Sequence, residues 1–190
     1  MTAYAPPLNA ALAGRPLAWK LGVVLAGGWL LAASSWIEAP MYPVPMTLQT
    51  FAVLLVAGLA GGRMASAIVL AWLAQAFAGL PLLAGGAGGP APFVGPTAGY
   101  LAGFVVAAAA CGWLTERPAL RGWLPMTSIF LAGHAVILGL GFAWLSHLFD
   151  ARAAWASGVL PFLAGSVLKS ILAVAVIKLA EPWARRALRL

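Results

Sequence analysis

Tyr42-Pro43-Val44-Pro45-Met46-Thr47-Leu48-Gln49 interrupts one pair of long apolar runs. A second interruption begins Gly79-Leu80-Pro81-Leu82-Leu83-Ala84-Gly85-Gly86-Ala87-Gly88-Gly89 and ends Gly95-Pro96-Thr97-Ala98-Gly99-Tyr100. Proline removes a backbone donor and fixes φ, and glycine permits turns that other residues resist, so neither segment continues a helix. The runs on either side read as membrane spans. The 190-residue chain is 63% hydrophobic and 8% charged, with mean hydropathy +0.97, whereas soluble domains sit near roughly 45–50% apolar and 25% charged. Non-helical backbone at membrane depth is tolerated only where it packs on protein or lines a cavity. The two segments therefore predict an all-α integral membrane protein whose spans enclose a pocket roofed by loops.

Working outward from them, six spans are expected, over residues 17–37, 49–61, 64–80, 96–114, 126–148 and 159–179. The second is short, covering only about 20 Å of a roughly 30 Å core, and Gly61-Gly62-Arg63 turns the chain after it. Residues 1–16 read as a short cytoplasmic tail, 17–180 as one membrane domain and 181–190 as a basic cytoplasmic tail. Arg15 and Lys20 before an apolar run, with Ala32-Ala33-Ser34-Ser35 after it, imitate a signal peptide. The apolar character continues through Ile37, which is long enough to span and favours a first membrane helix.

Six spans place both termini on one side. Arg15, Lys20, Arg63, Arg117, Arg121, Lys178, Arg185, Arg186 and Arg189 then lie on that side, and Arg152 lies opposite. By the positive-inside rule both termini are cytoplasmic, and the two interrupting segments open outward. The net charge of +7 follows this placement. With no basic amphipathic face and no aromatic-rich RNA motif, it does not indicate nucleic acid. The single Cys111 lies inside an apolar run, and the two histidines, His134 and His147, lack a cysteine or carboxylate cluster that would make a metal site.

The remaining cation, Lys169, sits near the middle of the sixth span. A lysine at the bilayer centre costs about 2.5–3.5 kcal/mol on insertion scales, so it generally faces a cavity or a partner. Glu38, Glu116, Asp150 and Glu181 all fall at loops or span ends, leaving Lys169 without an obvious counter-ion. An anionic or carbonyl-bearing ligand would complete it. Ser166 shares its helix face, and Gln49, Gln75, Tyr100 and His134 are polar groups on other spans. The glycine-rich segment is not followed by Gly-Lys-Ser/Thr, so it is not a phosphate-binding loop and any ATP-driven work falls to another subunit. No acid pair or histidine pair occurs at helical spacing, which argues against an intramembrane enzyme. Ala18, Gly22 and Ala26 recur every four residues on the first span, as Gly95, Gly99, Gly103 and Ala107 do on the fourth, and such stripes let helices approach closely.

The two segments, together with Pro161-Phe162-Leu163 and the Lys169 that follows, resemble the BioY family, the biotin-specific substrate-capture components of energy-coupling factor transporters. The resemblance covers residues 17–179. It implies a six-helix S-component fold, a biotin site near the outer face covered by the first loop, and no cofactor beyond biotin as transported ligand. It further implies docking through Ala18, Gly22 and Ala26 onto a transmembrane coupling protein driven by two ATPase subunits. Lys169 would donate to the valerate carboxylate or to the ureido carbonyl. Tyr100, Trp72 or Tyr42 would pack on the ring system, and Gln49 or Thr47 would close the loop. Ser166, Thr97, Gln75, His134 and Gly86 complete the candidate set. Two positions depart from the family pattern: Ser166 stands where an aspartate is usual, and His134 where an asparagine is usual. Transport by a homo-oligomer without ATPase partners is the alternative.

Overall fold

The computed structural model describes residues 6–188; Arg189 of the basic tail lies outside them. A short helix α1 (Pro7–Ala11) precedes Pro16, whose φ of −53° leads into α2 (Leu17–Ser35). The first interrupting segment is more ordered than expected. Its ends pair as an antiparallel ribbon of β1 (Glu38–Ala39) and β2 (Met46–Thr47), with Glu38 opposite Thr47. The chain then enters α3 (Gln49–Phe77), α4 (Ala98–Thr115), α5 (Trp123–Leu148), α6 (Ala151–Gly158) and α7 (Phe162–Leu188). The short α6, where only a connection was expected, is capped by Asp150, whose carboxylate accepts from the Ala153 amide at 2.9 Å. Glu181-Pro182 was expected to end the last helix, but α7 runs through Pro182.

Among the described residues, five helices are long and apolar enough to cross a membrane. The difference from six lies in α3, which unites two expected spans across the Gly61 turn. Gly61 has φ 73° and ψ 171°, a combination open essentially only to glycine, and the next amide, Gly62, donates to Glu116 Oε1 at 2.9 Å. Glu116 caps the end of α4. Phe77, at the other end of α3, packs edge-on against Phe93 at 5.3 Å between ring centroids, in the segment leading to the start of α4. Gln49 and Phe77 therefore lie at one end of the bundle and Gly61 at the other.

The core is made where uniformly apolar helices meet. Trp72 is fully buried, stacks 6.0 Å from Phe104 and donates its indole N–H to the Leu82 carbonyl at 3.0 Å. Ser35 shares its hydroxyl proton between the carbonyls of Ala32 and Leu82. The two small-residue stripes have different fates. On α4 a methyl group at Gly103 would stand 2.8 Å from the Ile137 Cα, and one at Gly99 would meet the Leu140 carbonyl, so this stripe seats α5. On α2 a methyl group at Gly22 would meet nothing within 4 Å, and Ala18, Gly22 and Ala26 line an open groove on the outside of the bundle.

Arg121, expected in the connection between the fourth and fifth spans, is buried. Its guanidinium donates to the carbonyls of Thr115 (3.1 Å) and Gly58 (3.4 Å) and to Glu181 Oε2 (3.3 Å). It thereby ties the middle of α3, beside the Gly61 break, to the end of α4 and the last turns of α7.

Candidate binding site

At the opposite end the two interrupting segments roof a cavity of about 210 Å³. Val44, Pro45 and Thr47 form one rim, and Leu83, Ala84 and Ala87 form the other. The walls come from the first turns of the helices below, through Gln49 and Thr50 on α3, Tyr100, Leu101 and Phe104 on α4, and Phe162 and Ser166 on α7. Ile137 and Leu138 on α5 complete them. Most polar wall residues are held by hydrogen bonds, whereas the Thr50 hydroxyl is buried without a partner among the described residues. Tyr100 donates its hydroxyl to the Gly158 carbonyl at 2.6 Å, Thr97 to Pro92 at 2.9 Å and Ser166 to Phe162 at 2.9 Å. Thr47 accepts from the Gln49 amide at 3.3 Å and donates to Gln49 Oε1 at 2.9 Å. Apolar walls with a few placed polar groups suit a small, partly apolar molecule.

Of the residues singled out from sequence, Thr47, Gln49, Thr97, Tyr100 and Ser166 line the cavity. Lys169 stands behind the wall, donating from Nζ to the Thr47 carbonyl at 2.6 Å. His134 is buried beneath Ser166. The Phe130 carbonyl, 3.1 Å from His134 Nδ1, can only accept, so Nδ1 carries the ring proton. Ser170, whose own proton goes to the Ser166 carbonyl, accepts from that nitrogen at 2.9 Å. This leaves Nε2 a bare lone pair, and both His134 Nε2 and Gln49 Nε2 are buried without a hydrogen-bond partner among the described residues. Trp72 and Gln75 do not reach the lining: Trp72 supports the glycine-rich rim through Leu82, and Gln75 donates to Ala71 at 2.9 Å. Tyr42 is 85% exposed, and Gly86 occupies an open turn at φ 70°.

Sequence reasoning missed Leu101, Phe104, Ile137, Leu138 and Phe162 as wall residues. Their helices are apolar on every side, so periodicity does not separate a wall from a lipid-facing flank.

A bundle of apolar helices closed at one end by two loops over a cavity defines an α-helical membrane protein built to enclose a small molecule. Comparison with known proteins agrees. The sequence profile of the BioY family matches residues 9–186. A biotin transporter of Thermotoga maritima is 34% identical, over 83% of this chain and 90% of its own length. One from Lactococcus lactis is 32% identical, over 81% of this chain and 85% of its own. The crystal structure of the S-component for biotin from an ECF-type ABC transporter superposes with a TM-score of 0.77 at 25% identity, covering 87% of this chain and 92% of the other. The chain belongs to the BioY family.

Proposed function

We propose that this protein captures biotin at the outer face of the bacterial cytoplasmic membrane and carries it inward as the substrate-binding subunit of an energy-coupled transporter. It is a transport protein rather than an enzyme. The observation that carries this reading is the roofed, largely apolar cavity in a chain of this family. The bicyclic ring would occupy the space between Tyr100, Phe104 and Phe162, with Thr47 and Gln49 at the rim. Lys169 would hold the Thr47 wall and offer its other ammonium donors to an oxygen of the ligand. Ser166, which lines the cavity, would accept from a ureido N–H in place of the family's usual aspartate, and His134, which stands for the usual asparagine outside the lining, would do so through Nε2 if the ligand reaches past the wall.

Calorimetric titration of the biotin-depleted, detergent-purified protein tests this. The parent should bind biotin tightly. Lys169→Ala should bind at least about tenfold more weakly, since a hydrogen bond from a charged group contributes roughly 1.5–3 kcal/mol. A folded parent that does not bind biotin refutes the ligand, and tight binding untouched by the variant refutes the role of Lys169.

The membrane domain, residues 17–180, is read as crossing six times, each half of α3 counting once. In support, Gly61 breaks the helical backbone at the end of the bundle opposite Gln49 and Phe77. Six crossings leave both terminal segments on the cytoplasmic side, and the positive-inside rule then turns the cavity outward. The open groove at Ala18, Gly22 and Ala26 suits close docking of a transmembrane coupling protein that carries two ATPase subunits. Gly22→Leu should leave biotin affinity unchanged, because that position faces open space, and abolish uptake in cells that express the whole complex. Undiminished uptake would instead favour transport by a homo-oligomer that does not use this groove.

A further inference from the structure

The roof over the cavity consists of two rims from distant parts of the chain, and something must hold them together. The β1–β2 ribbon pairs only two residues per strand, and so short a hairpin is marginal alone. Its inner side is fixed to the bundle, because Lys169 Nζ holds the Thr47 carbonyl. The base of the glycine-rich rim is fixed too, through Ser35 and Trp72 on the Leu82 carbonyl. Between these anchors the Glu38 carboxylate reaches across and accepts the Gly85 amide N–H at 3.0 Å. Among the described residues this is the one hydrogen bond that joins the two rims to each other.

Its position matters. Glu38 pairs with the cavity residue Thr47 in the ribbon, and Gly85 directly follows the cavity residue Ala84. Gly85 adopts φ 63°, a turn that presents its amide outward and that residues with a β-carbon resist. The bond is solvent-exposed, so water competes for both partners and the cost of opening it is small. A weak exposed bond between firmly anchored bases is suited to a latch that opens and recloses without disturbing the core.

We infer that Glu38 is a positioning residue for ligand retention: its carboxylate latches the first-loop ribbon to the glycine-rich rim, and breaking that single bond opens the cavity. The inference rests on the proposed binding site, and its test separates the two. In a Cys111→Ala background, Ser166→Cys places a thiol in the wall, and its modification by a small, water-soluble methanethiosulfonate reports opening without any ligand. Glu38→Ala should accelerate modification about threefold to tenfold, the range expected for one hydrogen bond. Glu38→Gln, which keeps an acceptor oxygen, should fall between Glu38→Ala and the parent. Biotin dissociation measured by stopped flow should accelerate in the same order. The unfolding midpoint of the unliganded protein should not move, as it would if Glu38 were merely structural. Unchanged modification in Glu38→Ala overturns the latch, whatever biotin does, and so does acceleration that tracks a lowered midpoint. Faster modification in a protein that does not bind biotin leaves the latch standing and removes the ligand assignment instead.

Discussion

Arg121→Ala is expected to destabilise the protein by about 3–5 kcal/mol, the usual consequence of removing one partner of a buried ion pair. The side chains of Arg121 and Glu181 are only 7% and 14% exposed, and they meet at 3.3 Å. Alanine would leave the Glu181 carboxylate without that guanidinium. It would also strip a donor from the carbonyls of Thr115 and Gly58. These carbonyls lie on α4 and α3, and Glu181 lies on α7, so the loss loosens three helices at once.

Replacing both charges, as Arg121→Met with Glu181→Met, should cost less than the sum of the two single replacements, because the attraction within the pair is then lost only once. A thiol-reactive fluorophore during thermal unfolding reads this directly, since the single cysteine, Cys111, is buried in the native state. A loss below about 1 kcal/mol for Arg121→Ala, in the range of exposed pairs, would show that the pair is a surface contact.

Leu101→Trp is expected to weaken biotin binding at least about 100-fold, or ~2.7 kcal/mol, while leaving the fold intact. Leu101 is 5% exposed and lines the cavity from α4. The helix behind it cannot retreat, because Gly103 already seats against Ile137 and Phe104 stacks on Trp72. The indole must therefore enter the empty space. Extra bulk in a filled core costs roughly 1–3 kcal/mol of stability, but here a cavity of about 210 Å³ receives it. The neighbouring Ala102 is exposed, so Ala102→Trp is the control and should bind like the parent. Equal affinities in the two variants, with both unfolding midpoints unchanged, would mean that biotin does not occupy this cavity.

Much of the frame was legible in the residues. Helix interruption is local backbone chemistry, so prolines and glycines marked both roof segments before any contact was known. The break at Gly61 was legible for the same reason, and there the backbone turns between two helical halves through a single non-helical glycine rather than a longer loop. The isolated charge of Lys169 also drew notice, because a cation in an apolar run is costly wherever it points. Its partner was not legible. The Thr47 carbonyl is 122 residues away in sequence, and a backbone carbonyl leaves no signature in a sequence. Arg121 was hard to read for a related reason: it falls in a connection between two spans, and the Thr115 carbonyl, the Gly58 carbonyl and Glu181 that meet its guanidinium are brought together by the packing of α3, α4 and α7.

The sequence by itself thus determined the class of protein, the places where helices must stop, and the small-residue stripes. Each of these depends on the chemistry of neighbouring residues. Tertiary structure alone decided which stripe seats a helix and which stays open, which side chains form the cavity wall, and that Glu38 meets Gly85 across the roof. Those outcomes depend on how uniformly apolar helices are rotated against one another, and a helix without a polar side carries no local record of that rotation.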